Sequence, residues 1–134
     1  MKKIISLLLV AILCVALVAC GGSDQNPLIV SYVENNRDEM IAGFEDGFVT
    51  SSNMTCKTEI EVVGNGIVIS ININELNDLS SEQKAAMQAG YDMMDQQFGV
   101  LLLEMKQEIP GLEYFTFNFC EADGDLMATV TKGK

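Results

Sequence analysis

The chain has no histidine and no tryptophan among its 134 residues. Without histidine it lacks the commonest general base near neutral pH and the commonest metal ligand. Without tryptophan, and with Tyr32, Tyr91 and Tyr114 as its only tyrosines, it lacks the usual stacking platforms for sugars and bases. Cationic side chains are scarce as well: eight Lys and Arg stand against nineteen Asp and Glu, a formal charge of −11. A field of that sign repels phosphate, so nucleic acid is excluded as a partner and no electrostatic hold on anionic lipid is available. A cationic ligand, or plain solubility, is what such a surface serves. The two prolines, Pro27 and Pro110, both sit at expected helix boundaries. Long apolar runs are confined to the first twenty residues.

That run is where the chain's address is written. Met1-Lys2-Lys3 precedes a stretch, Ile4 to Ala19, that is apolar but for Ser6, the charged and hydrophobic regions of an export signal. Its sixteen residues fall short of the roughly 20 that span a bilayer. It ends in Leu17-Val18-Ala19-Cys20, just before Gly21-Gly22-Ser23. Leu17 fits the small-residue rule for ordinary signal cleavage after Ala19 poorly. Residues 1–19 are thus expected to leave as a signal peptide, residues 20–26 to form a short tether, and residues 27–134 to form a single α+β domain. Loss of Lys2 and Lys3 would take the mature charge to −13.

Within the domain, Asn26-Pro27 reads as a cap followed by a first-turn proline, carrying Leu28, Tyr32 and Val33 inward. Asn36, with Glu39 three residues on, offers a second helix start. Met40, Ile41, Phe44 and Phe48 then recur at helical spacing. One broken helix or two short ones are expected, with Gly43 and Gly47 as close-packing positions or weak points.

From Cys56 to Val62 the pattern alternates, with Thr58, Ile60 and Val62 inward and Lys57, Glu59 and Glu61 outward. Asn65-Gly66 is a primed hairpin turn in sequence terms, and Ile67, Ile69, Ile71 and Ile73 form one face of the return strand. With that turn Val62 faces Ile69 and Ile60 faces Ile71. Ser80, with Gln83, opens the next helix. Met87, Tyr91, Met94, Phe98, Leu101 and Met105 line one side of it, and Pro110-Gly111 stop it. About 28 residues, roughly 40 Å at 1.5 Å per residue, are expected, with a bend at Gly99. A methionine-rich stripe can mark a binding groove; core packing is the reading taken.

Phe115, Phe117 and Phe119 then share one strand face, opposite Tyr114, Thr116, Asn118 and Cys120. Asp123-Gly124 makes a second hairpin turn, and Leu126, Ala128 and Val130 complete the inward row. The order helix, hairpin, helix, hairpin (αββαββ) most simply gives a four-stranded antiparallel sheet with two helices packed on one face.

The remaining constellations have structural explanations. Ser81-Glu82-Gln83-Lys84 matches S-x-x-K, and Ser70-Ile71-Asn72 matches S-x-N, but helix capping accounts for the serines, and the order and scale of a penicillin-binding enzyme are missing. Glu121, Asp123 and Asp125 ring a turn that can offer calcium hard oxygens, though Asp-Gly is already turn chemistry; no metal and no cofactor is expected. With Cys14 in the leader and Cys20 at its boundary, Cys56 and Cys120 are the candidate disulfide of the domain. Alternation places them on opposite strand faces, so a bridge would need a bulge or a strand end.

In its Leu17-Val18-Ala19-Cys20 lipobox the leader resembles those of bacterial lipoproteins. The resemblance implies that Cys20 carries a diacylglyceryl group and becomes the mature N-terminus, and two acyl chains are the number that anchors stably. Through that lipobox, Ser31-Tyr32-Val33-Glu34-Asn35, the Asn65-Gly66 hairpin, the long helix after Ser80-Ser81 and the close Asn118-Phe119-Cys120-Glu121-Ala122-Asp123-Gly124, the chain resembles small Firmicute lipoproteins carrying an uncharacterised domain of about a hundred residues. The alternation of helix and hairpin is also similar, in architecture alone, to the beta-lactamase inhibitor proteins. The expectation is a membrane-anchored lipoprotein on the outer face of the cell membrane, a non-enzymatic binding or interaction module. An inhibitor or accessory subunit of a cell-envelope enzyme is the alternative, and a small hydrolase comes third. The expected partners are the membrane, through the lipidated N-terminus, and an envelope protein or cationic ligand.

Overall fold

The structure is a computed structural model and describes residues 25–133; the expected signal peptide, residues 1–19, and Cys20 lie outside them. Pro27 opens α1, Pro27–Ser52, and the Asn26 side chain accepts from Leu28 N–H at 3.0 Å, a proline-first, Asn-capped start. The helix then runs unbroken for 26 residues. Asn36 does not restart it: the amides of Asn35 and Asn36 donate instead to the carbonyls of Ser31 and Tyr32 four residues back. Asn53, at φ 58°, closes it in the left-handed conformation. Ile29, Val30 and Val33 are buried in its first turns, and Met40, Ile41, Phe44 and Phe48 are half-buried further along.

Strands β1, Cys56–Val63, and β2, Gly66–Ile73, form the first hairpin. The turn is Gly64-Asn65, with Gly64 at φ 56°, so Val62 faces Ile67 and Ile60 faces Ile69. The expected Asn65-Gly66 turn is displaced by one residue and the register by two. An even shift keeps every side chain on its own face, which is why the inward rows are still Thr58, Ile60 and Val62 against four isoleucines. Gly66 serves a different need. Its backbone lies beneath the ring of Tyr114, where a Cβ would land among the ring carbons, and the Tyr114 hydroxyl donates to Val63 O at 2.8 Å.

Ser80 caps α2, Ser81–Asp92, with Gln83 completing the capping box. Helix α3, Asp95–Glu108, follows, so the expected single helix is two. The break is at Met93-Met94, not at Gly99: Met94 N–H reaches Tyr91 O, three residues back, at 2.9 Å. A straight helix of about 40 Å would overrun an eight-residue strand of roughly 26 Å, and the break lets both halves stay over the sheet. Tyr91 stacks on Phe119 at 4.0 Å and 7°. Beyond the break Phe98 packs against Phe115 and Phe117, and Asp95 pairs with Lys132 at 2.8 Å.

Strands β3, Tyr114–Glu121, and β4, Leu126–Lys132, form the second hairpin. The sheet order is β1-β2-β3-β4, and β2 pairs with β3 in parallel. The architecture is α+β, but the sheet is mixed rather than antiparallel and the helices number three among the described residues. The cause is the crossover: β2 ends at one end of the sheet, α2 and α3 carry the chain back to the other, and β3 starts beside Gly66. A bulge between Phe119 and Cys120 pairs Cys120 with Leu126 and drops Met127 into the core. Leu126 is therefore 53% exposed, not inward, whereas Ala128 is buried as expected.

All three helices face the row of Ile60, Ile69, Phe117 and Phe119. The other sheet face, with Lys57, Glu59, Ser70, Asn72, Thr116 and Thr131, has no described helix over it. Both outer strands have their free edges occupied by side chains from the helices and from Gln25 just before α1. Along β1, Gln25 donates to Val62 O, Arg37 to Ile60 O, and Glu45 accepts from Thr58 N–H. Along β4, the Gln88 amide both accepts from Thr129 N–H and donates to Thr129 O, standing in for a fifth strand. Occupied edges do not template pairing with another chain.

Burial pushes the Tyr91 phenol above its usual value of 10.0, and Tyr32 shifts the same way. The folded state then holds the phenolic proton more tightly than the unfolded one. Stability from this source is complete below the unfolded value and is lost as pH rises through the folded one. Urea unfolding at pH about 9, 10 and 11 is expected to show falling stability, with a shallower fall in Tyr91→Phe; an unchanged slope would contradict the assignment.

Candidate binding site

Between α1 and α3 the surface opens into a recess of about 240 Å³ lined by Tyr32, Glu39, Met40, Gly43, Phe44, Met105, Glu108 and Ile109. The floor is apolar: Met105 and Ile109 are buried, and Met40 and Phe44 half-buried. Gly43 adds no side chain to it, and a Cβ built there would meet nothing within 4 Å. The expected close-packing role of Gly43 and Gly47 is therefore not what the structure has; neither Cβ would touch a neighbour.

The rim is acidic. Glu39 and Glu108 are both exposed, and the Tyr32 hydroxyl donates to Glu108 Oε2 at 3.5 Å. Desolvation, then the charge and hydrogen bond of Glu108, then the charge of Glu39, all raise the Tyr32 phenol above 10.0. Among the described residues no cation lines the recess. Arg37 is turned to Glu34 and Ile60 O, and Lys106, two positions before Glu108, lies round the helix from it. A recess of this size, below the roughly 300–1,000 Å³ of drug-sized sites, has room for no more than a small molecule or a single side chain.

The residues singled out from sequence lie elsewhere. Cys20 is outside the described residues. Cys56 and Cys120 are free thiols on β1 and β3, with β2 between them. Cys56 is level with Ile73 on the helix side, and Cys120 is level with Asn72 on the other. Two strand spacings, about 9.5 Å, exceed the roughly 4.4–6.8 Å between bridged Cα atoms, so the candidate disulfide is not formed. Burial pushes both thiols above the ordinary cysteine value; Thr58 opposes this at Cys56 while Glu45 and Glu75 add to it, and Asp125 adds at Cys120.

Lys84 of the S-x-x-K match reaches Glu121 Oε1 at 3.9 Å, and Ser70 and Asn72 lie on the sheet face away from the helices. Oxygens of Glu121, Asp123 and Asp125 come within 4.8 Å of one another. Two of the three carboxylates already have structural partners: Glu121 accepts from Leu79 N–H at 2.7 Å, and Asp123 from Asp125 N–H at 3.0 Å.

Compared with known proteins, the chain matches no family model, no curated protein and no solved structure. Among the described residues no helix is long and apolar enough to cross a membrane.

The recess was not assembled by sequence reasoning. Met40, Phe44 and Met105 read as core stripe, and nothing in one helix's periodicity tells where a second helix will part from it. The signals present were the methionines and a glycine, Gly43, set inside an apolar helical stripe.

Proposed function

We propose that this protein is a lipid-anchored, extracytoplasmic and non-enzymatic binding module, resident on the outer face of the cell membrane, whose site is the cleft between α1 and α3. The observation that carries the binding half is the cleft itself, an apolar floor open to solvent beneath two carboxylates. The anchoring half draws support from Leu17-Val18-Ala19-Cys20 and from its resemblance to Firmicute lipoproteins. Gln25 and Asn26, the end of the expected tether, are already fastened to Val62 O and Gly64 O. Five residue steps from Cys20 to Gln25 span at most about 18 Å. The β1-β2 turn would thus face the membrane, and the cleft would open about 8 Å up α1, at Tyr32.

Replacing Cys20 with Ala is expected to shift the protein from the membrane fraction to the medium or leave it uncleaved. Unchanged fractionation and size would contradict the anchor. A second reading, an inhibitor or accessory subunit of a cell-envelope enzyme, is favoured by Val100 and Leu103, 56% and 62% exposed one turn apart on α3. It predicts that one such enzyme crosslinks to the anchored protein through α3, and that Leu103→Glu abolishes the crosslink.

A further inference from the structure

The cleft's lining restricts the chemistry of its occupant. An apolar floor of Met40, Phe44, Met105 and Ile109 rewards a hydrocarbon body. At the mouth stand Glu39 and Glu108, with the Tyr32 hydroxyl already directed to Glu108. A carboxylate-bearing ligand would bring like charge to both glutamates, and a neutral one would leave them hydrated but unanswered. An ammonium group answers them, and a lining of aromatic and methionine side chains suits a cation with an apolar periphery. The remainder of the chain adds to the same field, at −11 overall.

Gly43 supplies an independent mark. A glycine inside a helix is disfavoured against alanine, and nothing near its Cβ position requires one. A larger residue there would add its side chain to the lining. Gly47 and Gly90 are equally unhindered, but of the three only Gly43 lines the cleft.

We infer that the α1–α3 cleft binds small organic ammonium ions with an apolar body, the alkyl chain on Met40, Phe44, Met105 and Ile109 and the charge between Glu39 and Glu108. This rests on the cleft being the binding site and goes on to name the ligand class. Recognition is by charge and shape, with no covalent step. Two exposed carboxylates are worth a few-fold each in affinity, weakening with salt.

The test uses the full chain in neutral-lipid nanodiscs, with empty nanodiscs as the blank, titrated with n-hexylammonium, 1-hexanol and hexanoate. Hexylammonium is expected to bind with a Kd on the order of a millimolar or tighter. It should bind about tenfold more tightly than hexanol, with hexanoate weakest, and the gap should narrow in about 0.5 M salt. Glu39→Gln with Glu108→Gln, both at exposed positions, should bring hexylammonium to the level of hexanol and leave hexanol unchanged. Gly43→Leu should abolish binding of all three while raising the thermal midpoint by a few degrees. Equal affinities for the three probes, or no binding by any, would overturn the ammonium assignment while leaving the cleft to be judged on other fragments. Hexylammonium binding that survives Gly43→Leu would overturn the cleft reading with it.

Discussion

Phe117→Ala is expected to lower the unfolding free energy by about 4 kcal/mol, the value typical of emptying a buried phenylalanine site. Phe117 is the hub of the aromatic core: its ring lies 5.0 Å from Phe115, 5.6 Å from Phe44, and 5.9 Å from both Phe98 and Phe119. Those partners come from α1, α3 and its own strand, so no single element can move to fill the void. A domain of this size has only about 5–15 kcal/mol of stability in all, so the variant sits at the edge of folding, with a thermal midpoint lower by about 15 °C. Phe44→Ala removes one partner from a half-buried position and is expected to cost about half as much. Denaturant unfolding of the two variants checks the order; equal losses would show that the core is not centred on Phe117.

The second large effect is at Glu121, which is 2% exposed at the end of β3. Its carboxylate fastens the loop between β2 and α2 by accepting from Leu79 N–H, and Lys84 approaches the same oxygen. Its backbone holds the following turn through Asp125 O and Gly124 N–H. Glu121→Leu leaves the half-buried Leu79 amide without its acceptor and Lys84 without its counter-charge. Breaking a buried pair costs about 3–5 kcal/mol, but Lys84 is 30% exposed and 3.9 Å away, so water replaces much of the lost partner. A loss of about 3 kcal/mol is expected. Glu121→Gln keeps the acceptor for Leu79 and should cost about 1 kcal/mol. Amide exchange at Leu79 should rise sharply in the leucine variant alone; equal costs for the two would show that charge, not the acceptor, is what matters.

The two effects show what the sequence did and did not disclose. The inward rows of Ile60 to Ile73 and Phe115 to Phe119 were legible because a period of two survives any even change of register. That is also why the misplaced turn at Gly64-Asn65 left the faces correct. The parallel pairing of β2 with β3 was not written in either hairpin, since alternation looks the same in parallel and antiparallel neighbours. It was implied by the crossover through residues 74–113, whose helices are long enough to return the chain to the end where β2 began. The break at Met93-Met94 has no proline or glycine to announce it and answers to the length of the sheet.

Glu121 read as one of three turn carboxylates because the bulge beside Cys120, and with it the fate of the strand end, has no local signature. The cleft was furthest from view. Its lining joins residues 32–44 to residues 105–109, and only the packed helices show that Met40 and Met105 line an opening.

The most direct measurement is methyl NMR of the protein with labelled methionines, exposed to a mixed set of small ammonium, neutral and anionic fragments. Met40 and Met105 line the cleft; Met127 is buried under the bulge and Met93, 87% exposed, stands at the helix break. Binding in the cleft predicts shifts at Met40 and Met105 with Met93 and Met127 still, and loss of those shifts in Gly43→Leu. Fragments that move Met93 or Met127 and leave Met40 and Met105 in place would contradict it.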